Sequence, residues 1–151
     1  MLKGIDPLLN GELLKVLDEM GHGDQLLVVD RNYPAAASGR PVIRVADASV
    51  ERVLAAVMSV FPLDRFVPLP VERMEVNGDP TLTTDLQDRV LGLLAEADGW
   101  VGGYGVVARE DFYWRAQGSF AVLHTLETAP YSCFILTKGV VFPPGIPDDG
   151  S

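Results

Sequence analysis

Leu26-Leu-Val-Val29, closed by Asp30, is the stretch on which the fold turns. Four consecutive apolar residues bounded by polar ones read as a short buried strand, with a buried helical segment as the alternative. Upstream, Asn10–Met20 carries Leu13, Leu14, Leu17 and Met20 on one helical face. Asn10 suits the N-cap of that helix and Gly21 its stop. Downstream, Arg31–Arg40 contains Pro34, Ser38 and Gly39 and reads as a loop, and Val42–Val45 as a second strand.

The alternation continues. Ser49–Phe61 places Val50, Val53, Leu54, Val57 and Phe61 on one side of a helix, and Pro62, Pro68 and Pro70 then break the chain. Thr84-Asp-Leu-Gln87 has the form of a capping box before the amphipathic run Leu86, Val90, Leu93, Leu94, Ala97. Trp100–Ala108 reads as extended and Asp111–Gln117 as a short helix. Phe120–Thr125 and Phe134–Val141 read as closing strands. Helices between early strands and strands dominating late predict a single α/β layered domain. Its central mixed sheet is flanked by helices, and the late pair runs antiparallel. The domain spans residues 1–142. Pro143–Ser151, rich in Pro, Gly and Asp, reads as a flexible tail.

Composition excludes several partners. The chain has 151 residues, 12 Lys and Arg against 21 Asp and Glu, and a net charge of −9. Nucleic acid and anionic membrane surfaces would be repelled. No segment is apolar and long enough to span a bilayer, and the N-terminus lacks the pattern of a signal peptide. A single cysteine, Cys133, permits no internal disulfide and fits a cytoplasmic protein. Neutral or cationic small molecules remain open.

Few residues offer chemistry. Gly21-His22-Gly23-Asp24 leaves an imidazole unshielded between two glycines; it reads equally as a turn whose histidine caps the helix. Asp30 stands at a strand end, where α/β proteins place ligand sites, or it simply starts a loop. A strand between the two spans ~20 Å, so His22 and Asp30 need not meet within one subunit. Arg109 offers forked donors to a hydroxyl-rich ligand, or a surface ion pair with Glu110 or Asp111. Phe112, Tyr113 and Trp114 include either a stacking platform or core residues. Tyr131-Ser132-Cys133 groups three polar side chains, or forms a turn. His124, in an apolar strand, reads as a satisfied core histidine. Dinucleotide, Walker and nucleophile-elbow motifs are absent, and two histidines with one cysteine make no convincing zinc set.

Met1-Leu-Lys-Gly-Ile-Asp-Pro-Leu-Leu9, Glu12-Leu-Leu-Lys-Val-Leu17, Glu19-Met-Gly-His-Gly-Asp24 and Asp30-Arg-Asn-Tyr-Pro34 resemble the N-terminal half of the fucose mutarotase and ribose pyranase family. Arg109, Phe112-Tyr113, Arg115-Ala-Gln117, Phe120-Ala-Val122, Tyr131 and Lys138-Gly-Val140 are similar to its C-terminal half. The resemblance covers Met1 to Val141 and is closer to the fucose branch, because the ribose branch typically carries histidine where Arg109 stands. It implies a cofactor-free, metal-free isomerase that interconverts the anomers of a free monosaccharide. It further implies His22 as proton donor, and Asp30, Arg109, Tyr131, Ser132 and Cys133 as sugar contacts. Homo-oligomers with sites at subunit interfaces follow from the same source. Two positions depart from the family. The closing motif Tyr-Gly-Asn is here Tyr131-Ser132-Cys133, which removes an amide's two donors and its acceptor. Asn32 stands where relatives often have histidine. The departures leave two further readings: a pyranase acting on ribose, and a sugar-binding or regulatory protein without turnover.

Overall fold

The computed structural model describes residues 1–147. Four helices and six strands follow one another as α1 (Gly11–Glu19), β1 (Gln25–Val29), β2 (Val42–Val45), α2 (Val50–Met58), β3 (Val71–Met74), α3 (Asp85–Asp98), β4 (Gly105–Val107), α4 (Arg109–Ala116), β5 (Ala121–Thr125) and β6 (Phe134–Thr137), with a 3-10 turn at Ala36–Ser38. The strands form one sheet in the order β2-β5-β1-β6-β3-β4. Only β6 runs against its neighbours, so the sheet is mixed.

Leu26–Val29 is the buried strand its sequence predicts; all four residues are fully buried. Side chains alternate across a strand, so Leu26 and Val28 face one layer while Leu27 and Val29 face the other. The first layer holds Leu13 and Leu17 of α1, Val53, Leu54 and Val57 of α2, and Val90 and Leu94 of α3. The second holds Phe112 and Ala116 of α4 with Tyr33 and Ala35. A run apolar at every position is what two covering layers require.

The helix starts are built as expected. Asn10 Oδ1 accepts the Leu13 N–H at 3.0 Å, Ser49 Oγ accepts that of Arg52, and Thr84 and Gln87 close a reciprocal capping box. Several boundaries differ. Helix α1 ends at Glu19 on an extended Met20, and the left-handed glycine of the following turn is Gly23 (φ 90°), not Gly21. Trp100–Ala108 is extended only over β4; the Trp100 indole N–H bonds the Gly103 carbonyl at 2.9 Å and curls the segment before it. Helix α4 begins two residues before Asp111, because Ala108 is extended and its carbonyl already accepts the Phe112 N–H. The last strand stops at Thr137. Strand β3 is additional to the strands that the sequence pattern predicts. The closing strands β5 and β6 do run in opposite senses, but β1 lies between them. Of the C-terminal tail, residues 143–147 make a turn closed by the Ile146 N–H on the Pro143 carbonyl, and the rest of that expectation falls outside the described residues.

Candidate functional site

Because β1 to β5 run one way and β6 the other, the C-terminal ends of five strands share an edge with the start of β6. Asp30 follows β1, Arg109 follows β4, and Tyr131-Ser132-Cys133 precedes β6, so these five residues meet at that edge. It is where open α/β sheets bind ligands.

Two adjoining cavities lie there. One, of about 140 Å³, is lined by Asp30, Asn32, Tyr33, Tyr113, Tyr131 and Cys133, with Met74 and Pro130. The other, of about 350 Å³, is lined by Glu75, Asn77, Gly78, Arg109, Glu110 and Tyr131, with Ala108. Tyr131 is the wall between them. The Asp30 carboxylate is buried and held on both oxygens. Its Oδ1 accepts the Asn32 N–H at 3.1 Å, and its Oδ2 accepts the Ser132 N–H at 3.3 Å and the Cys133 thiol at 3.4 Å. Burial and the Asp30 charge push the Cys133 thiol well above its ordinary pKa, so it stays a protonated donor. The Ser132 hydroxyl is fully buried and reaches only the Pro130 carbonyl, at 3.5 Å. Ser132 therefore serves the edge through its backbone, and its side chain lines neither cavity.

The backbone here is strained. Tyr131 and Asn77 are the two non-glycine residues with left-handed φ among those described, 60° and 51°. The Tyr131 hydroxyl donates to Asn77 Oδ1 at 2.6 Å. The conformation is held from below by Gln87, fully buried, whose amide donates to the Tyr131 carbonyl at 3.0 Å and to the Met74 carbonyl at 3.1 Å. Strain kept in place by surrounding bonds is a common mark of ligand sites. Tyr33 is a second such mark. Its ring is wedged edge-on between Phe112 and Tyr113, and its hydroxyl is the buried side-chain polar atom without a partner among the described residues. Burial raises its pKa.

His22 lies at the other edge of the sheet. Its turn is fastened to the end of β6 by Gly23 N–H to the Lys138 carbonyl and Lys138 N–H to the Asp24 carbonyl. Nε2 sits 3.0 Å from Oδ1 of the buried Asp64, and the ring packs on Phe66 with centroids 5.2 Å apart. The imidazole is nevertheless 46% exposed. Strand β1 alone, five residues long, puts ~17 Å between the two edges. His22 therefore does not reach Asp30 of its own chain.

Arg109 makes no ion pair with Glu110 or Asp111; it lines the larger cavity, where Glu75 and Glu110 also stand. Tyr113 borders the smaller cavity, Phe112 is core, and Trp114 is 72% exposed. His124 is satisfied, through Nε2 on the Arg31 carbonyl at 3.0 Å, but it is no core residue: it lies half-buried in a surface groove. Asp64, Asn77 and Tyr33 carry no local signal of a site, and Gln87 signals only a helix cap. Only the fold places Asp64 beside His22, 42 residues away. No group of three or more His, Cys, Asp or Glu among the described residues is arranged to hold a metal.

A model of the RbsD / FucU transport protein family matches residues 3–141. The L-fucose mutarotase of Haemophilus influenzae (strain PittEE) is 37% identical over 140 residues, covering 93% of this chain and 97% of its own. FucU from Bifidobacterium longum superimposes with a TM-score of 0.86 at 42% identity, over 93% of this chain and 100% of its own. The fucose mutarotase of Streptococcus pneumoniae, solved in complex with L-fucose, gives a TM-score of 0.86 at 32% identity over the same shares.

Proposed function

This chain belongs to the RbsD / FucU family, and from that membership we propose that it is a sugar mutarotase. It interconverts the α and β anomers of a free monosaccharide, L-fucose or a close relative, without a cofactor or metal, in the cytoplasm. The observation that carries the reading is the meeting of Asp30, Arg109, Tyr131 and Cys133 at one sheet edge, in a chain similar to L-fucose mutarotases over 93% of its length.

The chemistry asks little of a protein. A hemiacetal opens when the anomeric hydroxyl loses its proton and the ring oxygen gains one, and it recloses on the other face by the reverse transfers. Positioned acid and base groups suffice. Asp30, held rigid by three donors, keeps lone pairs for sugar hydroxyls. Arg109 and Tyr131 contact the sugar from the larger cavity and the shared wall. The Ser132 backbone and the Cys133 thiol hold Asp30, and Cys133 also faces the sugar. His22 gives and takes the proton. Asp64 Oδ1 already accepts the Phe66 N–H, so it acts as acceptor toward the imidazole, whose Nε2 carries hydrogen. Nδ1 is left for the substrate. Since His22 stands at the far edge, the site is completed between copies: one subunit's His22 faces the neighbour's Asp30 in a homo-oligomer. The domain is residues 1–142.

The test is saturation-transfer NMR across a panel of aldoses. Transfer between the anomeric protons of L-fucose faster than buffer alone is expected, unaffected by a chelator. Exchange at the buffer rate for every sugar would leave a non-catalytic binding protein as the surviving reading. Acceleration confined to ribose would identify a pyranase.

A further inference from the structure

Of the 12 Lys and Arg side chains, eight are occupied by a carboxylate or a backbone carbonyl. The remaining four, Lys3, Arg31, Arg44 and Arg109, have no partner among the described residues. Arg31 and Arg44 line one groove beside the sugar edge, together with His124. Its two adjoining parts measure about 300 Å³ and 530 Å³ and share Arg44 and His124. No carboxylate lines either part. In a molecule of net charge −9, this cavity carries two guanidinium groups and no acid among its lining residues.

The geometry is built by the sheet. Arg44 on β2 stands directly opposite His124 on β5, so the two project from the same face. The His124 Nε2–H is spent on the Arg31 carbonyl, since a carbonyl can only accept. That bond fixes the ring against the Arg31 backbone, whose own N–H is tied to the Glu127 carbonyl at 2.7 Å. Nδ1 is left uncommitted. The carboxylate next to Arg31, that of Asp30, is committed to the Asn32 and Ser132 amides and the Cys133 thiol. Away from the charged end, the larger part of the groove is apolar, walled by Tyr33, Pro34, Ala36 and Val42. Tyr33 is also a wall of the smaller sugar cavity, so the two spaces are back to back.

We propose that this groove is a second ligand site, for a small organic phosphate monoester, whose phosphate is held by Arg31 and Arg44 beside His124 and whose body lies on the apolar wall. Guanidinium forks match the oxygens of a phosphate two at a time, and two of them around one pocket suit a doubly charged head. The acidic remainder of the protein opposes any anion, which makes binding modest and weaker as salt screens the short-range contacts.

The experiment is calorimetric titration of the intact protein with glucose 6-phosphate, glucose and inorganic phosphate at low salt. The ester is expected to bind, inorganic phosphate more weakly, and glucose not at this groove. Arg31→Gln with Arg44→Gln should weaken the ester by at least about tenfold, with the melting temperature and the L-fucose exchange rate unchanged. Both arginines are exposed, so the fold should tolerate the pair. No heat from the ester at about 10 mM, near the limit of a useful site, would overturn the proposal; a second copy of the chain covering the groove would give that result. Equal affinity in the double variant would overturn it too. Inorganic phosphate as tight as the ester would reduce the site to an adventitious ion only. Because sugar exchange is read separately, failure here leaves the mutarotase reading standing, and the reverse.

Discussion

His22 and Cys133 are the two side chains whose replacement says most. The imidazole is half-exposed and bonded to a buried carboxylate that also accepts the Phe66 N–H. Removing it leaves Asp64 with a partner and the turn with its two bonds to Lys138. His22→Ala should therefore lower anomer exchange by about 10²–10⁴-fold, as loss of a positioned acid or base does, while the thermal midpoint barely moves. Unchanged exchange would reassign the proton transfer. Cys133 borders the smaller cavity and its thiol is a weak donor to Asp30. An amide at that place can keep the bond to Asp30 and add a donor for a sugar hydroxyl. Cys133→Asn is predicted to tighten L-fucose by about tenfold, ~1.4 kcal/mol, in an NMR line-broadening titration; equal or weaker binding would turn Cys133 away from the sugar or L-fucose away from the site. His22, Asp30 and Arg109 could be singled out in the sequence because glycines, a strand end and a helix start expose them. Their partners could not. Nothing around Leu63-Asp64 marks that carboxylate as the support of a histidine 42 residues away, and Tyr33 reads as loop until the layers close over it.

At the level of elements, α3 does more than cover the sheet. The Gln87 side chain closes the capping box with Thr84 and then reaches under β3 to hold the Met74 and Tyr131 carbonyls. One residue thus couples a helix start to the strained turn that shapes both cavities. Gln87→Ala should cost about 2–4 kcal/mol, ~1 from the cap and ~1–3 from the stranded buried carbonyls, seen as a lower urea midpoint. The same variant should bind sugar less well, since Tyr131 loses the bond that keeps its φ at 60°. A loss below about 0.5 kcal/mol, the size of an ordinary surface change, would show that the turn holds itself. The capping box was legible because its signal is local. Strand β3 was not, because Pro68 and Pro70 precede it and Glu72 and Arg73 interrupt its apolar pattern. Those charges are absorbed by contacts the sequence does not display: Glu72 pairs with Arg115 of α4 at 2.6 Å, and Arg73 lies on the Met74 and Pro80 carbonyls.

For the whole molecule, the alternation of elements predicts layers and a mixed sheet, and both are present. The strand order is another matter. That β6 inserts between β1 and β3, and β1 between β5 and β6, depends on contacts far apart in the chain, and no local pattern encodes it. Yet the strand directions put Asp30, Arg109 and Tyr131–Cys133 on one edge and His22 on the other, and the proposed mechanism therefore requires a second copy. The most direct test is subunit complementation. His22→Ala and Asp30→Asn are each prepared, shown to be inactive in L-fucose exchange, then unfolded together and refolded as a mixture. If one copy supplies the histidine and its neighbour the carboxylate, random assembly gives about a quarter of the sites both native groups, and about a quarter of the wild-type exchange rate should return. If the mixture stays as inactive as either variant alone, His22 and Asp30 do not meet across copies, and the shared site is wrong.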